Sequence, residues 1–279
     1  MFSSKMKKLI FGASIALQAM CSSAYAAANI KIGVAANFSN TLNAIISSFQ
    51  NYYNGSGYTF TVTVDSTTNL KNAIIAGGTT GPYDLFLSAD FAAPQALYTS
   101  YNSFVVGSPF PYAIGSLELY SGPVNTVNIS AGLPSPLTTD FVIADPTKAP
   151  YGLAASQVLA SSPWNITTIP SGHVFTRPNI NSTYSAVQAG TYAYGFVAKS
   201  AICQYTGGSE HYISGTYHHE YLYNDASHPY NQIKQYGIEI ALTRTTDQNT
   251  ELTNFVNFLT GVGTSLGTAK IQQYCYILP

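Results

Sequence analysis

Charge is what this sequence most lacks. Of 279 residues only 8% are charged, 12 acidic and 11 basic, against about a quarter in an ordinary soluble protein. With a net charge of −1 there is no basic footprint for DNA or RNA, which sets nucleic-acid binding aside. Disorder does not follow, because 46% of residues are hydrophobic and apolar runs recur along the chain. There are three cysteines and one tryptophan. That tryptophan, Trp164, falls in an expected loop, so no Trp/Tyr platform for stacking sugars is evident. After the first twenty residues no apolar run is long enough to span a bilayer.

Polarity comes instead from Ser, Thr, Asn, Gln and the hydroxyls of 22 Tyr. Such a surface suits a protein that works outside the cytoplasm, and an acidic medium is one expectation, since few carboxylates remain to titrate. The length allows one large domain or two smaller ones around a sizeable core.

The N-terminus reads as an export signal. Lys5, Lys7 and Lys8 precede the apolar stretch Leu9 to Met20, and Ala24-Tyr25-Ala26 offers a cleavage site after residue 26. Cys21 is a poor lipid-attachment site because Met20 before it is bulky. Cleavage would remove three lysines and no acid, taking the net charge from −1 to −4. It would leave Cys203 and Cys275, which in an exported chain most simply form one disulfide; two separate buried thiols is the other reading. The expected location is the periplasm.

Along the rest of the chain strands alternate with helices. Ile30 to Ala35 reads as a strand, and Leu42, Ile45, Ile46 and Phe49 mark one face of the following helix, with Asn37 or Ser39 as its N-cap. The pattern repeats at Tyr58 to Val64 with a helix from Ser66, and at Asp84 to Leu87 with a helix around Ala92 to Tyr98. A second series runs from Tyr112 to Ala198, and Gly237 to Leu242 is a strand followed by two more helices. Between them, Gln204 to Tyr236 lacks a period and reads as a long loop or irregular hairpin. The fold class is α/β: two lobes, each a mostly parallel sheet flanked by helices, with a ligand cleft between. Residues 27–112 with 238–279 form lobe I and 113–237 an inserted lobe II.

Three strand-to-helix junctions carry small hydroxyl or amide residues: Ala36-Asn37, Ser66-Thr67, and Pro150-Tyr151-Gly152 after Asp145. A helix N-terminus has free N–H groups and the positive end of the helix dipole, so several converging on one cleft would hold an anion without Lys or Arg. Singly, each junction is more simply an ordinary cap.

In combination these junctions resemble a known family. Ala35-Ala36-Asn37, Ser66-Thr67-Thr68-Asn69-Leu70, Tyr83-Asp84-Leu85-Phe86-Leu87-Ser88-Ala89-Asp90, Pro150-Tyr151-Gly152 and Tyr194-Gly195-Phe196-Val197 are similar in order and spacing to the molybdate-binding periplasmic proteins of ABC transporters. The resemblance implies a hinged, monomeric protein that binds molybdate or tungstate through neutral donors. It would have no cofactor and no enzymatic activity, and its partner would be an inner-membrane ABC permease. Transferred position by position, the ligand donors fall on Asn37, on Ser66 and Thr67, and on the backbone N–H groups of Tyr151 and Ile180. The family's Tyr three residues after the glycine of Gly-x-Val is here Ala198, with Tyr194 or Ser200 as conceivable substitutes. The alternative is the same fold holding another oxyanion, or a metal at the His/Tyr-rich segment, without a transport role.

Other chemistry is weaker. His211, His218, His219 and His228 cluster in sequence, but adjacent His218 and His219 in an extended stretch point to opposite faces. Asp84 and Asp90 lie at opposite ends of one strand and should not share a site. Gly263-Thr264-Ser265-Leu266-Gly267 matches Gly-x-Ser-x-Gly, but a helix precedes it and no His follows.

Overall fold

The computed structural model describes residues 29–54, 57–214 and 216–279. The expected export signal, 1–26, lies outside them. The chain forms two lobes, each built on a five-stranded sheet. The first sheet contains β1 (Asn29–Ala35), β2 (Thr59–Asp65), β3 (Leu85–Ser88), β4 (Val105–Gly115) and β12 (Ile233–Ile240), in the order β2-β1-β3-β12-β4. The second contains β5 (Leu117–Ser121), β6 (Phe141–Ala144), β7 (Val174–Arg177), β8 (Gly195–Ala198) and β11 (Tyr217–Tyr221), in the order β11-β5-β8-β6-β7.

Both sheets are mixed. In the first, β2, β1, β3 and β4 share one direction, and β12, paired antiparallel to both β3 and β4, runs against them. In the second, β7, β6, β8 and β11 share one direction, and β5, paired antiparallel to both β8 and β11, runs against them. Parallel pairing, expected from the strand–helix alternation, therefore holds for one half of each sheet. The other half comes from strands that follow one another with hardly a turn, or that return from the opposite lobe.

Alternation along the strands sends neighbouring side chains to opposite faces, so each sheet has two cores. Leu85 and Leu87 pack with α1 (Ser39–Tyr52), α6 (Thr246–Thr260) and α7 (Leu266–Gln273), whereas Phe86 packs with α2 (Thr67–Gly77) and α3 (Ala92–Ser100). Leu42, Ile45, Ile46 and Phe49 form the buried stripe of α1, as their spacing predicts. On the second sheet, Phe141 and Ile143 face α4 (Pro150–Ala160), and Val142 faces Val187 of α5 (Ile180–Gln188).

The segment from Gln204 to Tyr236, expected to be a loop or irregular hairpin, holds more order than its composition suggests. β9 (Cys203–Thr206) and β10 (Ser209–Tyr212) form a hairpin, and β11 then joins the second sheet. Tyr, His and Gly there give no apolar alternation because these strands are half-exposed. The lobes are joined at Ser116, between β4 and β5, and again through 222–232, between β11 and β12. A third link is covalent. Cys203 of β9 is bonded to Cys275, which follows α7, with 5.9 Å between their Cα atoms.

Candidate functional site

The parallel halves of the two sheets aim their strand ends at one another. β1 runs into a short turn, Ala36–Phe38, and then α1; β2 runs into α2. From the other lobe, β6 leads to α4 and β7 to α5. Four helix N-termini meet around a small cavity of ≈ 10 Å³ lined by Ala36, Asn37, Ser66, Thr67, Ala89, Pro150, Tyr151, Asn179 and Ile180, among others. All five residues singled out from the sequence, Asn37, Ser66, Thr67, Tyr151 and Ile180, are on its wall, and each is buried. No Lys, Arg, His, Asp or Glu lines it.

Local sequence explains each contribution. Ser66 is the N-cap of α2, its Oγ accepting from the Asn69 N–H at 3.4 Å. Thr67 Oγ1 accepts from the Ala89 N–H at 3.1 Å. Each hydroxyl therefore meets a backbone donor with a lone pair and keeps its own proton to give. Pro150 occupies the first position of α4, where its missing N–H costs nothing, so Tyr151 presents the next main-chain N–H. Asn179 caps α5 through its side chain, leaving Ile180 as the first helical N–H. First-turn N–H groups have no intrahelical acceptor. Gly152 lets α4 approach: a Cβ there would lie 2.3 Å from the Ala144 carbonyl oxygen.

Asn37 differs from the sequence expectation. It caps no helix, because the Ala36–Phe38 turn continues directly into α1 without a side-chain cap. Its amide Nδ2 donates to Gln235 Oε1 at 2.9 Å and to the Tyr276 hydroxyl at 3.0 Å. Both amide protons are thus engaged within the protein, and what Asn37 retains for a ligand is its main-chain N–H.

Those partners belong to a buried neutral network that sequence reasoning missed. The Tyr276 hydroxyl donates to the Asn37 carbonyl oxygen at 2.9 Å. Ser200 Oγ lies 2.9 Å from the Tyr276 hydroxyl and 3.2 Å from the Asn37 oxygen. Tyr112 reaches Gln235 Oε1 at 3.0 Å, and Gln235 Nε2 donates to the Tyr151 hydroxyl at 3.4 Å. Burial pushes the pKa of Tyr112, Tyr151 and Tyr276 upward, so all three stay neutral donors. Gly115 makes room for this network, since a Cβ would sit 2.0 Å from the Tyr151 hydroxyl.

Ala198 is buried in the same apolar cluster as Ala36, Tyr151 and Ile180 of the wall but does not itself line the cavity. Tyr194 is stacked on Phe141 with its hydroxyl 3.5 Å from the Thr139 carbonyl, so it does not fill that place. Ser200 stands one layer behind the wall, on Asn37 and Tyr276.

Cross-lobe hydrogen bonds close the cleft. The Thr68 N–H donates to the Lys148 carbonyl at 3.2 Å, and Asn181 Nδ2 donates to Ser39 Oγ at 3.0 Å.

The other candidates raised by the sequence have structural roles. Asp84 pairs with Arg244 at 3.2 Å, while Asp90 accepts from the Ala93 N–H at the start of α3. His218 stacks on Tyr212 at 3.6 Å, and on the opposite face His219 contacts the Ser130 carbonyl. Among the described residues, the one group of three potential metal ligands is Cys203, Glu210 and Cys275, whose two sulfurs are bonded to each other.

Comparison with known proteins agrees with this architecture. The profile of the bacterial extracellular solute-binding proteins matches residues 30–263. The molybdate-binding protein ModA of Azotobacter vinelandii is 32% identical over 193 residues, 68% of this chain and 73% of that protein. ModA of Rhodobacter capsulatus is 33% identical over 188 residues, covering 66% and 69% respectively. The solved structure of the Azotobacter vinelandii periplasmic molybdate-binding protein superimposes with a TM-score of 0.70 at 26% identity, covering 90% of this chain and 99% of that one.

Proposed function

The chain belongs to the bacterial extracellular solute-binding proteins, and from that premise we propose that it captures a tetrahedral oxyanion, molybdate or tungstate, in the cavity between its lobes. The observation that carries this reading is the convergence of four helix N-termini and two hydroxyl donors on a buried space without a charged side chain. Each N-terminus behaves as roughly half a positive charge. Fixed N–H and O–H dipoles aimed inward offset the dehydration of a dianion, and they are stronger in a closed cavity than in water. Because the wall is rich in donors, a fully deprotonated anion satisfies it, whereas a protonated one brings a donor that needs an acceptor. Likeness to the two ModA proteins supports molybdate as the first ligand to try.

In this role the protein works in the periplasm as a monomer, performs no covalent chemistry, needs no cofactor and hands its anion to an inner-membrane ABC permease. Ala198 takes away the hydroxyl that the family places there. A buried hydrogen bond to a charged ligand is worth about 1.5–3 kcal/mol, so the remaining donors have correspondingly more to supply.

Calorimetric titration of the ligand-free protein with molybdate, tungstate and sulfate tests the proposal. The expected result is tight binding of the first two, weak binding of sulfate, and at least about tenfold weakening in Thr67→Val. Absence of heat with all three anions overturns it.

A further inference from the structure

Taking the oxyanion reading as its ground, we infer that Tyr276, tethered by the Cys203–Cys275 disulfide, is the positioning residue for the Asn37 corner of the anion cavity. The hydroxyl of Tyr276 holds Asn37 at two points, accepting from its side-chain Nδ2 at 3.0 Å and donating to its main-chain oxygen at 2.9 Å. Gln235 takes the second amide proton. With carbonyl and side chain both held, the turn Ala36–Phe38 has one orientation, and so does the N–H of Asn37 that borders the cavity. The Tyr276 ring completes the hold by packing edge-on against Phe38, with centroids 5.3 Å apart.

The disulfide fixes both groups that touch Asn37 from behind. Cys275 is the immediate neighbour of Tyr276. Cys203 follows by three residues Ser200, whose Oγ reaches the same hydroxyl and the same carbonyl. Cys275 itself is held with φ at +59°, a backbone region that a side chain disfavours, so this conformation must be imposed by its surroundings. On one side the imposed restraint is the sulfur bond. On the other, Ile277 exchanges two backbone hydrogen bonds with Ile114 of β4, at 2.8 and 3.0 Å. Between these two anchors Tyr276 is directed inward and buried. In a site without an ionised side chain, affinity depends on dipolar donors being in place before the ligand arrives.

Four proteins test this: the wild type, Tyr276→Phe, the pair Cys203→Ser with Cys275→Ser, and the combination. Each is titrated with molybdate and, without ligand, followed by hydrogen exchange. Tyr276→Phe and the disulfide-free pair should each weaken molybdate by about tenfold. The combination should be no weaker than Tyr276→Phe alone, because the tether acts through that hydroxyl. Exchange should quicken at residues 36–39 in both single-step variants and stay unchanged in β6, which separates local release from general loss of stability. Losses that multiply in the combination, unchanged affinity in Tyr276→Phe, or unchanged exchange at 36–39 would each overturn the inference. If the wild type binds no molybdate, the oxyanion reading fails by itself. The exchange arm then still decides whether Tyr276 positions Asn37.

Discussion

Tyr276 lies between two polar regions that are built differently. On the cavity side, its hydroxyl meets Asn37 and Ser200 in a network with no ionisable group other than phenols held neutral by burial. On the other side its residue borders a cleft with Lys199, Glu210 and Glu220, where the lysine ammonium lies 2.9 and 2.8 Å from the two carboxylates. Burial opposes charge on Lys199, but the two glutamates outweigh it and hold its pKa above the usual lysine range. Glu118 is buried nearby, its pKa raised by that burial more than His218 can lower it. A chain with 8% charged residues gathers several of them beside the hinge and places none on the anion wall. Charges that neutralise one another can fix a permanent joint. A ligand that must be released is better held by dipoles that do not titrate and leave no unpaired ion behind.

The sharpest way to break this contrast is to put a charge where there is none. Ser66→Asp keeps a good N-cap for α2 yet sets a carboxylate on the wall. It should weaken molybdate by about 100-fold or more in calorimetry, with little change in the thermal midpoint. Conversely, Lys199→Met removes the cation from the hinge cluster. Denaturant unfolding should show a loss of about 1–3 kcal/mol, less than for a fully buried pair because Glu210 and Glu220 are partly exposed. Its affinity for molybdate should stay within about threefold of the wild type.

A third test separates the regions by pH. Glu251 is fully buried with neither carboxylate oxygen hydrogen-bonded, and burial, helped by the Asp84 charge, pushes its pKa up to about 8 from 4.5. The folded state therefore binds a proton that the unfolded state gives up. This contribution is fully present below pH 4.5 and is lost progressively as pH rises to about 8. The thermal midpoint should fall across that window, and less steeply in Glu251→Gln. The dissociation constant for molybdate, set by groups that do not titrate there, should be flat from about pH 6 to 8.

What could be read in the sequence was what is local. Leu42, Ile45, Ile46 and Phe49 declare a helix by their spacing, and Ser66 declares a cap because capping needs only its next three residues. The junctions at Asn37, Thr67 and Tyr151 were legible for the same reason: a short strand running into a helix marks where free N–H groups must lie; Ile180 came only from the family resemblance. Tyr276 and Gln235 were not legible, since they reach Asn37 from 239 and 198 residues away. No local pattern distinguishes a buried network tyrosine from the other 21 tyrosines in the chain. The use of both Asn37 amide protons within the protein was hidden likewise. The hairpin β9–β10 and the strand β11 escaped because half-exposed strands rich in Tyr and His carry no apolar alternation.

The hydrogen bonds from Thr68 to Lys148 and from Asn181 to Ser39 span the mouth of the cleft. They give the protein a clock. An uncharged wall does not draw anions in by long-range attraction, so the rate of capture should depend little on ionic strength and be governed by how often the lobes part. Escape of the proposed anion would require these contacts to open, so its lifetime should follow the opening rate rather than the strength of any single donor inside.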